Sequence, residues 1–297
     1  MKVAEIQQVR RFNRAVVEGI GALQDHFLGR ARPMAEARLL WEIGTDGADI
    51  RELRDRLGLD SGYVSRLLRS LERQRLVRVR VSPDDRRVRR AELTAAGVKE
   101  RKVLDTRSDS VAERILEPLS EAQRAAFLAA AADVERLLQP SMVRFAIERP
   151  TGVDAQWCWK QYFAELNERF DAGFDPDTAL PVDEHEVTPP GGALIIARLH
   201  GRPIGCGSVK TPRGAPAYIK RMWIAPEARG LGVGRRLLAE LEDQARKAGA
   251  RVIQLETNRA LTEAIALYRR SGYVEVPAFN DEPYAHHWFE KRAGASK

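Results

Sequence analysis

The sequence predicts two folded units: a mainly α-helical one built on a winged helix-turn-helix, then an α/β one. Three observations carry this. Residues 48–94 run helix, glycine turn, helix, then two alternating segments joined by "SPDD". Residues 193–271 alternate apolar strand-like runs with amphipathic helical ones. Between the two, "LLQPSMVRFAIERPTG" (137–152) breaks the helical pattern with two prolines and a glycine. The junction is placed there, giving units of 1–142 and 143–297.

The composition suits this division. The chain has 297 residues, 44% hydrophobic and 31% charged, enough for two cores. No apolar stretch nears the ~18 residues of a membrane span. "MKVAEIQQVRRFNRAVVEGIGALQ" shows helical spacing with repeated charges, unlike a signal peptide, so a cytoplasmic protein without a membrane partner is expected. Cys158 and Cys206 are far apart in sequence with no CxxC, and the five histidines lack ligand spacing. Neither a disulfide framework nor a metal site is expected.

The net charge of +7 is concentrated. Residues 61–90 hold ten arginines (66, 69, 73, 75, 78, 80, 86, 87, 89 and 90) against Glu72, Asp84 and Asp85, so the rest of the chain sums to zero. Such a block points to one polyanion contact, or else to a general bias towards Arg over Lys.

In order, Ile6, Val9, Val16, Ile20, Leu23 and Phe27 predict a long helix over 5–29, and "MAEARLLWEIG" a short one over 34–44. Asp49 caps a helix that stops at Gly58. Ser61 is expected to cap the next, with Val64, Leu67, Leu68 and Leu71 on its inner face. "LVRVRV" and "RRVRRAEL" alternate as the two strands of a wing. Residues 95–116 and 120–139, rich in Ala and Leu, form two further helices.

Residues 1–140 resemble the MarR family of winged-helix transcriptional regulators, most specifically in "SPDDRRVRRAELTAAG", where Asp85 and Arg87 fit the family's D-x-R wing. The resemblance implies that Asp85 braces the wing while Arg86 and Arg87 enter a minor groove, where negative potential is concentrated. It makes residues 61–75 the recognition helix, offering Ser61, Tyr63, Ser65, Arg66, Arg69 and Arg73 to the major groove and phosphates. It also implies a homodimer on pseudo-palindromic double-stranded DNA; the open alternative is a winged helix used only for packing. Residues 1–140 contain no cysteine, which excludes a thiol-based oxidant sensor there.

In the second unit, "ALIIARL" (193–199), "IGCGSV" (204–209), "AYIKRMWI" (217–224) and "RVIQLE" (251–256) are expected strands, with helices at 233–248 and 260–271. "ARGLGVGRRLLAELE" (228–242) joins the third strand to a helix. A glycine loop at a helix N-terminus suits a diphosphate. The dinucleotide fingerprint G-x-G-x-x-G fails here, since its last glycine would fall at Arg235 or Leu237, and the P-loop pattern fails as well. What fits is R-x-x-G-x-G, Arg229 through Gly234.

With "MWIAPEARGLGVG" before it, then "VIQLETN" and "AIALYRRSGY", the unit resembles the GNAT superfamily of acetyl-CoA-dependent N-acetyltransferases over roughly 143–292. The resemblance implies a mixed central sheet, acetyl-CoA as cosubstrate and an amine as acceptor. It assigns coenzyme contacts to Arg229, Gly230, Leu231, Gly232, Val233, Gly234 and Arg235, to the splayed strand at Met222 and Ile224, and to Asn258. Tyr268 takes the general-acid position, with core packing as its alternative; a phenol of pKa near ~10 stays protonated at neutral pH. An alkylammonium acceptor must lose a proton first. Glu256, Glu165 and His287 are the candidate bases, with direct loss to water also open, because Tyr218 stands where many relatives carry a carboxylate. Two other functions stay open: a regulator whose second unit only senses acetyl-CoA, and an acetyltransferase whose winged helix only dimerises it.

Overall fold

The structure, a computed structural model, describes residues 2–21, 27–30, 32–81 and 88–294. The chain divides into two compact units, Met1–Ala132 and Asp133–Lys297.

The first unit contains α1 (Val3–Gly19), α2 (Met34–Ile43), β1 (Ala48–Asp49), α3 (Ile50–Leu57), α4 (Ser61–Arg73), β2 (Val77–Val81), β3 (Arg89–Leu93), α5 (Ala95–Leu116) and the start of α6 (Glu121–Met142). The helix expected over 5–29 ends ten residues early. Gly19 closes it, and Gly21, at φ 66°, turns the chain out of the helical region. Asp49 caps α3 by accepting from the Arg51 amide, and Gly58, at φ 64°, ends it. The cap of α4 is Asp60 rather than the expected Ser61: its carboxylate accepts from the Tyr63 amide at 2.8 Å. An ionised acceptor is favoured at the positive end of a helix.

Val64, Leu67, Leu68 and Leu71 turn one face of α4 onto Leu39, Leu40 and Ile43 of α2 and Leu53 of α3. The opposite face is therefore left to solvent. The strands form an antiparallel sheet in the order β1-β3-β2, with Val77 opposite Leu93 and Val81 opposite Arg89. Thr94 caps α5, and Gly97 lets that helix cross the wing base: a Cβ there would lie 2.0 Å from the Leu76 carbonyl oxygen. The wing tip, including Asp85, Arg86 and Arg87, lies outside the described residues.

Helix α6 ends at Met142 and the chain enters β4 (Arg144–Glu148), followed by α7 (Val153–Arg169), β5 (Gly192–Leu199), β6 (Arg202–Lys210), β7 (Ala217–Ile224), α8 (Val233–Lys247), β8 (Val252–Thr257), α9 (Thr262–Arg270), β9 (Val274–Val276) and β10 (His287–Arg292). Seven strands form one sheet, β4-β5-β6-β7-β8-β10-β9, antiparallel throughout except for β7 with β8. The sheet is mixed, as expected. Strand alternation assigns its two faces: Ala193 and Ile195 meet Leu237, Leu238 and Leu241 of α8, while Leu194 and Ile196 meet Ala155, Cys158 and Trp159 of α7. Each fully buried leucine or isoleucine contributes about 1.5–3 kcal/mol.

Two features of the sheet position the site. The β7–β8 pairing covers only Ala217 with Ile253 and Tyr218 with Gln254, after which the strands part. Opposite β6, β7 carries a bulge in which Arg221, at φ 54°, is the extra residue; the register passes from Lys220–Ser208 to Trp223–Cys206.

Candidate active site and nucleic-acid interface

At the open end of the β7–β8 fork, Gly230 (φ 74°) and Gly232 (φ 78°) occupy the left-handed region, and a turn of that kind aims successive amides to one side. Among the described residues, the amides of Gly230 to Arg235 donate to no carbonyl; the first to do so is Arg236, to Gly232. The last three of these six are the first turn of α8, where orphan donors and the helix dipole both favour an anion. The guanidinium groups of Arg235 and Arg270 line the same cleft and are exposed. Arg229 serves the loop differently: its Nε donates to the Ile224 carbonyl at 2.9 Å, and it pairs with Glu165. Val233 buries its side chain in the core, so only its amide faces the loop.

The cleft has a volume of about 730 Å3 and runs from this loop along Met222 and Ile224 to Tyr162 and Tyr268. There it meets a second cavity of about 80 Å3, which shares Tyr162, Leu166, Met222 and Tyr268. Both tyrosines therefore stand at the junction. Burial pushes the Tyr268 phenol up, and the nearby Glu256 charge pushes it further. Burial does the same to Tyr162. Both remain proton donors at neutral pH.

Glu256 lies in the wall of the smaller cavity. Burial pushes its carboxyl above the usual range, against the hydrogen bond of Tyr218 and the charge of Lys220, with Glu282 adding to the rise. Its Oε2 has no hydrogen-bond partner. A carboxyl raised in this way suits a base working near neutrality.

The other candidate bases do not line the smaller cavity, although Glu165 lines the larger cleft. Glu165 accepts from Trp223 Nε1 at 2.8 Å and from Arg229 and Arg169. Burial opposes its charge, but those three donors hold its carboxyl below the usual range. It braces the loop arginine and is held in its ionised form. His287 pairs with Glu275 at 2.6 Å and lines neither cavity. Asn258 lines the smaller cavity, where it donates to the Tyr284 carbonyl and accepts from the Ala260 amide, both at 2.8 Å.

In the first unit, Ser61, Arg66, Arg69 and Arg73 stand on the exposed face of α4, with Tyr63 and Ser65 partly exposed. Arg66 lies over the Tyr63 ring, 5.4 Å from its centroid. Among the described residues none of the three arginines has an ion pair. Ser61, Ser65 and Arg69 share a concavity of about 300 Å3 with Arg51, Arg54 and Arg89. The last three are basic residues that the helical pattern of α4 alone does not reveal.

The Acetyltransferase (GNAT) family model matches residues 156–273, and the MarR family model matches residues 32–88. The chain is 38% identical over 104 residues to the IAA acetyltransferase of Azospirillum brasilense, covering 35% of this chain and 67% of that protein. It is 32% identical over 129 residues to the N-alpha-acetyltransferase RimI of Mycobacterium tuberculosis, covering 42% and 76%. This chain belongs to the GNAT acetyltransferase family. Its N-terminal part carries a MarR-family domain, so the two are fused in one polypeptide. A solved GNAT-family acetyltransferase from Staphylococcus aureus Mu50 aligns with a TM-score of 0.43 at 16% identity, over 50% of this chain and 99% of that one.

Several residues of the GNAT site escaped the sequence motifs: Tyr162, Lys220, Arg221 and Glu282. Lys220 reaches Glu282 at 3.0 Å and Glu256 at 3.8 Å, and donates to the Leu180 carbonyl at 3.1 Å. The two cysteines, distant in sequence, meet in the GNAT core. Both are fully buried; the neighbouring Cys158 and burial push the Cys206 thiol up, and Cys206 Sγ donates to the Arg221 carbonyl at 3.5 Å. Among the described residues no helix is long and apolar enough to cross a membrane.

Proposed function

We propose that the GNAT domain transfers an acetyl group from acetyl-CoA to an amine, and that the MarR domain binds double-stranded DNA as a homodimer. The observation that carries the first half is the run of six undonated amides at Gly230–Arg235 at the mouth of the fork. Those amides, with Arg235 and Arg270, would hold the diphosphate. The unpaired edge of β7 beyond Tyr218 would take the pantetheine arm and place a main-chain donor where the carbonyl gains charge. Bound acetyl-CoA supplies an activated acetyl group.

The chain's own residues manage the protons. Glu256 takes one from the ammonium, freeing the nitrogen lone pair to attack. As the N–C bond forms and the C–S bond breaks, Tyr268 gives its proton to sulfur and recovers one from the acylated nitrogen. For DNA binding, support comes from the arginines of α4, exposed and without an ion pair among the described residues. Dimerisation is supported by Ile6, Val9, Phe12 and Val16 of α1 and Phe127 and Leu128 of α6, all apolar and exposed.

Calorimetry tests the coenzyme site. Acetyl-CoA binds the intact chain, and Gly232→Val weakens it about tenfold or more, because a β-branched residue resists φ 78° at a cost of roughly 1–2 kcal/mol. No affinity in the unmodified chain sinks the enzymatic half. The base is tested by pH. Glu256 must be ionised to accept a proton, and its carboxyl is raised, so kcat/KM falls as pH drops through a value above the usual carboxylate range. In Glu256→Gln that ascending limb disappears and kcat/KM drops about 10²-fold or more; an unaltered limb assigns the titration to another group.

A further inference from the structure

The acceptor cavity holds more charge than one proton transfer requires. In a regular strand, neighbouring side chains point to opposite faces. The bulge at Arg221 breaks that alternation, and Lys220, Arg221 and Met222 all line the same cavity. A left-handed arginine is strained, and such strain is characteristic of binding sites.

What the bulge delivers is an unpaired cation. The Arg221 guanidinium stacks over Trp159 and Phe163, 4.6 and 5.2 Å from their ring centroids, and among the described residues no carboxylate lies within ion-pair distance of it. Burial makes an unpaired guanidinium costly, and its pKa is lowered accordingly. On the anionic side, Glu282 Oε2 is taken by Lys220 and the Leu180 amide, but Glu282 Oε1 and Glu256 Oε2 are buried with no hydrogen-bond partner. The formal charges of Lys220, Arg221, Glu256 and Glu282 sum to zero. A ligand balanced in its own charge leaves the cavity neutral, whereas a bare ammonium does not. The remaining wall is aromatic, with Phe174 stacked on Phe163 at 5.6 Å and packed against Tyr284 at 4.8 Å.

We infer that the acceptor is a free zwitterionic α-amino acid with an apolar side chain. Its ammonium meets the open oxygens of Glu256 and Glu282, its carboxylate pairs with Arg221, and its side chain lies on the aromatic wall. The inference rests on the acetyltransferase reading and narrows it. A carboxylate on arginine gives charge-assisted hydrogen bonds with a fixed geometry, which sets an amino acid apart from the amine that lacks the group.

The test is thiol release from acetyl-CoA with L-phenylalanine, its methyl ester, phenethylamine, spermidine and a lysine peptide. The unmodified chain is expected to prefer L-phenylalanine over both the ester and phenethylamine by about 10- to 100-fold in kcat/KM. In Arg221→Met the ratio of phenylalanine to phenethylamine falls toward one, and Arg221→Lys restores part of it. Equal use of phenethylamine by the unmodified chain overturns the inference, as does preference for spermidine or the peptide; in each case the acetyltransferase reading stands. If no acceptor turns over, calorimetry with coenzyme A present decides: phenylalanine binding that weakens in Arg221→Met supports the inference, and no binding overturns it.

Discussion

Replacing Tyr268 by Phe lowers kcat by about 10²- to 10⁴-fold, the usual worth of a positioned proton donor, and leaves the affinity for acetyl-CoA within about twofold. The position separates chemistry from binding. Tyr268 is nearly buried on α9, against Tyr273 and Phe289, and its ring lines both cavities where they join. The substitution removes one oxygen and keeps the ring that fills the wall, so packing is preserved. The diphosphate loop lies at the far end of the cleft and does not change. Departing sulfur needs a proton, and a phenol pushed up by burial beside Glu256 still carries one across the neutral range. Steady-state kinetics with calorimetry on the same preparation measures both quantities. Retained turnover moves the donor to Tyr162, whose raised phenol lines the same junction. A domain that only senses acetyl-CoA has no turnover to lose, and the two proteins then behave alike.

The coenzyme side of this site is legible in the sequence because it is local. One loop and the helix it starts supply the amides, and R-x-x-G-x-G with an amphipathic run behind it is the record of that geometry. The wing is legible for the same reason: alternation, turn and return lie within twenty residues, and the cap and stop residues Asp49 and Gly58 do in the structure what their types require. The acceptor side is assembled from α7, the bulge of β7, β8, and the segment containing Glu282 and Tyr284. No sequence pattern links residues 162, 221, 256 and 282. Helix α7 itself escaped prediction, since "WCWKQYFAEL" packs against the sheet with some aromatic residues and lines a cavity with others, which blurs any single apolar stripe.

Residue type alone leaves role open. Glu165 has the chemistry of a base, but its three donors hold it ionised. Asn258 has the chemistry of a pantetheine partner, and its bonds to the Ala260 amide and the Tyr284 carbonyl leave one side-chain N–H to spare. Which carboxylate is held ionised depends in part on distant partners, Trp223 and Arg229 for Glu165, and only the folded chain supplies them.

Exchanging Arg66, Arg69 and Arg73 together for Ala flattens the salt dependence of DNA affinity by about 5 in the slope of log K against log salt. Each phosphate contact releases about 0.9 of a counterion, and a homodimer carrying three such arginines per chain loses six contacts. Counted from 1 M salt, where counterion release vanishes, the same loss weakens binding at about 0.1 M by roughly 10⁵-fold, with little change in preference between operator variants, because phosphate contacts position the protein rather than specify sequence. Folding is spared. The three side chains are exposed, none has an ion pair among the described residues, and α4 is held by Val64, Leu67, Leu68 and Leu71 on the other face. A thermal melt of the variant therefore matches the parent while gel shifts across a salt series diverge. If the slope is unchanged, the arginine block owes its place to composition alone, and the winged helix serves only to pair two acetyltransferases. A residual, salt-dependent affinity belongs to the basic residues the variant leaves intact: Arg51, Arg54 and Arg89, which share the concavity beside Arg69, and the wing arginines Arg86 and Arg87.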